Sequence, residues 1–348
     1  MNITRTKNKE IKSVLTKRMT AIAIAAVLSV SIFGGNLMSL QAMASTDNST
    51  NVNATVNTND AGVKTHASIS EKQTARQTLR QTLQQDEMAY KQAVQTADVT
   101  YKQAVQTAQL AHSQAIQDAN TANNQAIQLA RVTYTTAVNN AHGNAVTIGT
   151  SMATRDQSIA TSQTTRINAV VSADVAHDKA VNDAWATHET AVYGALATRD
   201  GNDGTAQSTF YTSIGNATLS TRSQTIGQAH VTEDNSILQA RETRIAAVET
   251  ADIAKDQAIG TAQTVYISAE SSAHVTLDNT YTTNAKNWNA GLQSYWNSVA
   301  PLVQTQDSAI AAANANHVTA IGNADAARDQ AIDQAFATMY GSISTAYS

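Results

Sequence analysis

The chain has 348 residues, of which 42% are hydrophobic and only 14% are charged. It contains no cysteine, which excludes disulfide bonds and a lipid-attachment cysteine. Six of its 23 basic and one of its 27 acidic residues lie in the first 44 positions, so the remaining chain has a net charge of −9. This charge argues against nucleic acid or anionic lipid as a partner.

The first 44 residues have the organisation of a secretory signal peptide. Basic residues cluster between positions 5 and 18, an apolar stretch covers 21–40, and Ala42-Met43-Ala44 matches the small-x-small cleavage pattern. We predict cleavage after Ala44 and a secreted or cell-surface location, without membrane attachment of the mature chain. The alternative is an uncleaved membrane anchor, because the apolar run is long, although two glycines and an asparagine at 34–36 interrupt it.

Residues 45–71 are rich in Asn, Thr, Ser, Asp and Gly and contain few apolar side chains. Such a composition cannot bury enough surface to offset the entropy lost on ordering. We therefore predict a disordered polar spacer here, and a helical composition begins at Lys72.

An 11-residue repeat dominates the sequence from Tyr90 onward, where each unit carries the core Ala-(Val/Ile)-x-x-Ala. With the positions labelled a to k and Tyr90 at a, the small or apolar residues occupy a, d, e and h. The repeat slips by one residue before Ile148 and again before Ile226 and resumes after degenerate units at Ile310, so that Arg155, Arg222 and His317 stand at position a of the later segments. At ~100° per residue, 11 residues sweep only about 20° more than three full turns. Positions a, d, e and h therefore form one stripe of roughly 100°, which is the width of a buried helix face. The sequence predicts an all-α protein of long helices, either a right-handed coiled coil or an elongated helical bundle.

Position e carries the predicted core-packing residues, which are β-branched throughout. Around them we predict helical segments at 72–200, 209–280 and 306–348. The core-packing residues are Val94, Val105, Ile116, Ile127, Val138, Val170, Val181, Val192, Ile237, Val248, Ile259, Ile310, Ile321 and Ile332.

Three places are predicted to interrupt the helices. Residues 201–208 follow Asp200 and begin with a cluster of Gly, Asn and Asp that favours a turn. Residues 281–305 contain aromatic residues and Pro301, the one proline, which is expected to break or kink a helix. Gly143 and Gly149 form a weaker third site. If the chain turns at these places it is an antiparallel bundle; if not, about 270 residues form a rod of roughly 400 Å.

Two further patterns concern the sides of the helices. A second apolar position recurs at j, for example at Val99, Leu110 and Val132, nearly opposite the main stripe. This favours helices with neighbours on two sides.

Position a changes from tyrosine to cations, several followed directly by an acid, as in Arg155-Asp156. Because adjacent residues on a helix do not face each other, we expect either an interhelical Arg–Asp ladder or cationic stems that lie along the stripe with their heads in water.

An aromatic cluster lies where the repeat degenerates. Its members are Tyr281, Trp288, Tyr295 and Trp296. The two interpretations are a packing plug and a recognition patch for a cell wall or glycan, since aromatic rings supply rigid contact area.

No motif with catalytic specificity is present. The sequence lacks His-Glu-x-x-His, Gly-x-Ser-x-Gly and a Gly-Lys-Ser/Thr phosphate loop. His177 and His188 share a stripe but are three turns apart, roughly 16 Å, which is too far for one metal ion. We therefore predict a protein that is not an enzyme and uses neither a cofactor nor a metal.

The pattern of Ala-(Val/Ile)-x-x-Ala units with an a/d/e/h stripe resembles hendecad coiled coils, in particular the alanine-rich secreted hendecad proteins of bacteria. The resemblance implies parallel homo-oligomers that act as stalks or fibres. It favours an exported structural protein. The alternatives are a surface adhesin or cell-wall-binding module that uses the aromatic patch, and a membrane-surface or stress-protective helix. The last is disfavoured because the polar face is Gln, Thr and Asn, where interfacial helices carry lysine.

Overall fold

A computed structural model describes residues 69–283 and 288–348. The predicted signal peptide and nearly all of the predicted spacer lie outside these residues. The described chain forms four long helices: α1 (Ile69–Asn140), α2 (Ala145–Ser213), α3 (Ala217–Thr283) and α4 (Trp288–Tyr347). The all-α prediction is confirmed, and the first helix begins within three residues of the expected position.

The four helices form an open layer in which each one packs against its neighbours in the chain. Contacts join α1 to α2, α2 to α3 and α3 to α4, and within the described ranges no other helix pair meets. Each pair is antiparallel: Asp98 lies beside His188 and Asn123 beside Ser162, so numbers rise on one helix as they fall on the next. The chain therefore folds back, and the parallel arrangement implied by the family resemblance is not found between its helices.

Two Gly-Asn steps make the turns that the structure describes. Gly143 and Gly215 adopt φ of 83° and 80°, a backbone conformation that glycine reaches without strain. The following asparagines then cap the next helix. Asn144 accepts hydrogen bonds from the amides of Val146 and Thr147, and Asn216 accepts one from Leu219. The weaker predicted site at Gly143 is thus a turn, whereas Gly149 lies inside α2.

The predicted break at residues 201–208 is wrong, because α2 continues through it to Ser213. Gly204 serves a close approach of two backbones. A Cβ added to Gly204 would lie 2.8 Å from the Gly227 Cα of α3, closer than real Cβ contacts. The glycine cluster therefore marks helix–helix packing.

The predicted interruption at 281–305 is far shorter than expected. Residues 281–283 and 288–305 are helical, and Pro301 lies inside α4. A proline removes one backbone hydrogen bond. The helix continues because the remaining bonds, together with the packing of Tyr295 and Val299 against α3, hold the turns on either side.

The a/d/e/h stripes face each other within the α1–α2 and α3–α4 hairpins. Position h is the most buried, and its alanines let the helices approach closely: Ala97, Ala108, Ala119 and Ala130 on α1, Ala229, Ala240, Ala251 and Ala262 on α3, and Ala313, Ala324 and Ala335 on α4. The predicted core-packing residues at position e border these alanines. Among them Ile237 is buried and the others are half-buried.

The two hairpins are joined through the opposite sides of α2 and α3. Here position f faces its counterpart: Gly204 lies against Gly227, Gly149 against Thr282, and Val171 against Gly260. The inner helices thus have neighbours on two sides, as the j pattern indicated. On the edge helix α1 the j residues have no such neighbour, and Val99, Leu110 and Val132 are exposed.

Candidate functional site

The polar chemistry of the molecule is concentrated at helix–helix interfaces. Along the α1–α2 hairpin, each position-a residue faces a position-a residue of the partner helix. The pairs are Tyr90 with Arg199, Tyr101 with His188, His112 with His177, and Tyr134 with Arg155. In the outer pairs the guanidinium carbon lies 4.7–4.9 Å from the tyrosine ring centre, which is a favourable cation–π distance.

Carboxylates beside this ladder form ion pairs from one helix to the next. The His188 Nε2 lies 2.9 Å from Asp98 Oδ1, and the His112 Nε2 lies 2.6 Å from Asp174 Oδ1. The α3–α4 hairpin repeats the arrangement, since Arg244 pairs with Asp325 and His317 with Asp252. Of these four interhelical contacts only Arg244–Asp325 is of the Arg–Asp type that the sequence predicted, and the other three join histidines to aspartates.

One part of the sequence argument about this ladder was wrong. Adjacent Arg-Asp residues were not expected to meet, yet the Arg155 Nε lies 2.6 Å from Asp156 Oδ1 and the Arg199 Nη2 lies 2.7 Å from Asp200 Oδ1. The long guanidinium side chain can turn sideways along the helix surface, so its head reaches a neighbour that a shorter side chain would not. The same arginine therefore bonds within its helix and packs across the hairpin.

The α2–α3 interface holds carboxyl groups that face one another. Position b of each helix brings Asp156 beside Asp278 and Asp200 beside Asp234. Asp234 and Asp278 are buried, with exposed fractions of 5% and 2%. The interface is thus built around acids without an equal number of opposing cations.

Burial raises the pKa values of these carboxyls. The pKa of Asp234 rises to about 7, with a further contribution from the Asp200 carboxylate, and Arg199 lowers it in part. Burial also raises the pKa of Asp278 to about 6, helped by Asp156, and that of Asp256 to about 6 despite the opposing charge of Lys255. These groups therefore bind protons near neutral pH.

Glu189 occupies the same position b but has cationic and aromatic partners. Its carboxylate accepts hydrogen bonds from Arg241, with Nη1 to Oε2 at 3.0 Å, and from the Trp185 indole at 2.9 Å. Only 7% of Glu189 is exposed. The arrangement joins the two hairpins through a mostly buried ion pair.

We expect that replacing Glu189 by alanine lowers the free energy of unfolding by about 2–3 kcal/mol, because Arg241 and Trp185 lose their acceptor in a buried setting. Urea denaturation followed by circular dichroism measures the change. Glu242→Ala is the matched control, since Glu242 accepts a hydrogen bond from Thr190 across the same interface but is exposed. The control is expected to change stability by less than about 0.5 kcal/mol; equal effects of the two variants would contradict the assignment.

The predicted aromatic patch is divided in the structure. Tyr295 is buried against Leu277 and Val299 and shares a 2.8 Å hydrogen bond with His274. Tyr281 is half-buried. Trp296 points outward with 62% of its surface exposed, and the side chain of Trp288 lies outside the described residues. Tyr295 is therefore part of a packing plug, and Trp296 is available for another contact.

The described residues contain no group of three or more His, Asp or Glu that could hold a metal ion. The grooves between helices are shallow. One of about 580 Å³ beside the α1–α2 turn is lined by alanines, threonines, Leu129, Tyr134 and Arg155. This lining has no base or acid paired with a nucleophile, so the groove offers no catalytic arrangement.

The part of the chain that the structure describes contains no helix with the length and apolarity needed to cross a membrane. Comparisons of the chain with family models, curated proteins and solved structures gave no match.

Proposed function

We propose that this chain is an exported, non-enzymatic structural protein that forms part of a cell surface or of the extracellular material. The observation that carries the proposal is the repeated contact between helices. Position-a pairs recur at multiples of 11 residues along the α1–α2 hairpin, and position-h alanines recur every 11 residues in both hairpins. Side chains that could act on a substrate are instead engaged with the neighbouring helix, as in the Arg241–Glu189 and His317–Asp252 pairs.

The predicted role as an adhesin receives less support. A binding platform needs several accessible rings, but Tyr295 is committed to the core and Tyr281 is half-buried. Among the patch residues whose side chains the structure describes, Trp296 is the exposed one, and a single ring supplies a small contact area. A rigid spacer or scaffold uses the length of the helices directly, about 90–110 Å for helices of 60–72 residues.

Expression with the native leader in a bacterial host, followed by small-angle scattering, tests the proposal. We expect a product that begins at Ser45 and has a radius of gyration of about 30 Å or more, because a rod of about 100 Å has that value. A compact domain of this size would give about 19 Å. A product that keeps its leader and stays in the cell would contradict the proposed role, and so would a radius of gyration near the value for a compact domain.

A further inference from the structure

The α2–α3 interface provides a pattern by which another docking face can be recognised. At position b, acids recur every second repeat with isoleucine between some of them, and at position f the ends of the interface have small residues. The aspartates are Asp156, Asp178 and Asp200 on α2 and Asp234, Asp256 and Asp278 on α3, with Glu189 between the last two on α2, and the isoleucines are Ile167, Ile245 and Ile267.

Packing at this interface depends on the small residues of position f. The backbones meet where Gly204 faces Gly227, and Gly260 leaves space for Val171. Ile167 and Ile245 at position b are buried beside them, with exposed fractions of 4% and 3%. A face that combines large apolar residues and acids at b with small residues at f is therefore able to dock a helix.

The outer face of α4 has this combination and no neighbour within the described chain. Counted in the frame of His317, its position b reads Trp296, Asp307, Val318, Asp329 and Tyr340, and its position f reads Ala300, Ala311, Gly322 and Asp333, so three of these four f residues are small. Trp296, Val318 and Tyr340 are 62%, 69% and 65% exposed. A Cβ placed on Gly322 would meet nothing within 4 Å. The face continues the open layer on the side where the chain supplies no fifth helix.

The outer face of α1 lacks the combination. Its position b begins with Arg80, Lys91 and Lys102, and its position f is glutamine in five successive repeats, from Gln84 to Gln128. Long polar side chains at f would hold a second backbone away. The two edges of the layer are therefore chemically different, and α4 is the edge built for contact.

The order of residues on the outer face of α4 is symmetric about the middle of the helix. Val318 lies at the middle of the helix, and Asp307 and Asp329 are each 11 residues from it. Antiparallel pairing of two α4 helices about a twofold axis at Val318 brings Val318 to Val318, Asp307 to Asp329, and Trp296 to Tyr340. In the same register Ala311 meets Gly322, which reproduces the small-to-small contact of Gly204 with Gly227.

We propose that two copies of this chain dimerise through the outer face of α4, antiparallel and centred on Val318. A twofold interface uses the same patch on both copies and closes on itself, so the expected assembly is a dimer with an eight-helix layer. A second copy of the chain is thus the partner in the proposed structural role, and this inference rests on that proposed role.

Light scattering coupled to size exclusion of the mature chain tests the proposal. We expect the mass of two chains, and the mass of one chain for Gly322→Gln, because a side chain there would meet Ala311 of the second copy. The isolated fold should tolerate this change, since space around Gly322 is open and glutamine is the better helix former. Its helix content by circular dichroism should therefore be unchanged. Gly194→Gln on α2 is the matched control, because a Cβ there also meets nothing, and it should remain a dimer.

Cross-linking supplies a second readout, because the natural chain has no cysteine. Val318→Cys treated with a short bismaleimide should yield a covalent dimer. Leu110→Cys on the edge of α1 is comparably exposed, 73% against 69%, and should not. A wild-type monomer at 100 µM would overturn the dimer while leaving the export and elongation expected of a structural protein untouched. If the wild-type chain forms open-ended oligomers, and Leu110→Asp on α1 abolishes them, then copies contact each other through α1 and α4. That result would also overturn the dimer.

Discussion

Replacing Gly204 by leucine is expected to lower the free energy of unfolding by about 3 kcal/mol or more. Gly204 and Gly227 bring the backbones of α2 and α3 together, and even a Cβ would lie 2.8 Å from the Gly227 Cα. A leucine has no rotamer that avoids the facing helix, so the two hairpins must separate near this end and lose the close packing of Gly204 against Gly227 and Ser223. Overpacking of this kind typically costs 1–3 kcal/mol when the surroundings can shift, and backbone shifts less easily than side chains.

Gly194→Leu is the control for this substitution. It lies in the same helix, ten residues earlier, where an added Cβ meets no atom within 4 Å. Because glycine is the poorer helix former by roughly 0.8–1 kcal/mol, the control should be neutral or slightly stabilising. Urea unfolding of both variants gives the comparison. A Gly204→Leu protein as stable as Gly194→Leu would show that α2 and α3 do not meet in this register.

Replacing Asp234 and Asp278 together by asparagine is expected to stabilise the protein at pH 8 by about 3 kcal/mol. The raised pKa values set an upper bound near 7 kcal/mol at about 1.4 kcal/mol per pKa unit, and the cost of burying two asparagine amides offsets part of that gain. Burial and the facing carboxylates raise their pKa values to about 7 and about 6. At pH 8 both groups are ionised in a setting that disfavours the charge. Asparagine keeps the shape and removes the charge.

The sign of the pH dependence follows from these raised pKa values. Below about pH 3 the carboxyls are protonated in both the folded and unfolded chain, so they cost nothing. As the pH rises toward 7, the unfolded chain ionises first and the folded state loses relative stability, a loss that is complete above the folded pKa. Facing groups on α2 are Asp200 and Arg199 for Asp234, and Asp156 and Arg155 for Asp278.

The asparagine variant should therefore differ from wild type at pH 8 and by less than about 1 kcal/mol at pH 4. Melting temperatures measured from pH 4 to pH 8 give both values. Asp118→Asn is the control, because Asp118 is exposed on α1 and accepts a hydrogen bond only from the nearby Gln114 among the contacts described. A stability gain for the asparagine variant that is the same at pH 4 and pH 8 would contradict the account.

The 11-residue period predicted the all-α fold and the side that each helix buries. It did not predict where the helices end, because the turns at 141–144 and 214–216 lie inside the predicted segments 72–200 and 209–280. The period returns the small residues to one azimuth, and the alanines of position h occupy that azimuth in both hairpins. The recurrent apolar position j, at Val231 for example, also indicated a second neighbour, and Val231 lies against Gly201 across the α2–α3 interface. Regular patterns of this kind are local properties, so the sequence alone displays them.

The features that depend on two distant segments could not be predicted. Gly204 has the local chemistry of a turn, and only the facing Gly227 reveals that it permits close approach. The carboxyl pair of Asp200 and Asp234 is likewise invisible until the register of α2 against α3 is known. The Gly-Asn step of the two turns does not locate them either, because Gly201-Asn202 and Gly322-Asn323 carry the same dipeptide inside helices.

The distance between spin labels on α1 and α2 tests the fold-back of the repeat most directly, because the chain has no native cysteine to label elsewhere. Lys102→Cys with Thr187→Cys places labels on exposed positions that face each other in the hairpin register. Pulsed electron paramagnetic resonance should give a distance of less than about 35 Å between these two labels. For the pair Lys102→Cys with Thr209→Cys the distance should be longer, because the second label is displaced by about 33 Å along the helix axis. A continuous rod would instead separate the first pair by about 130 Å, beyond the range of the method, and that result would contradict the antiparallel hairpin.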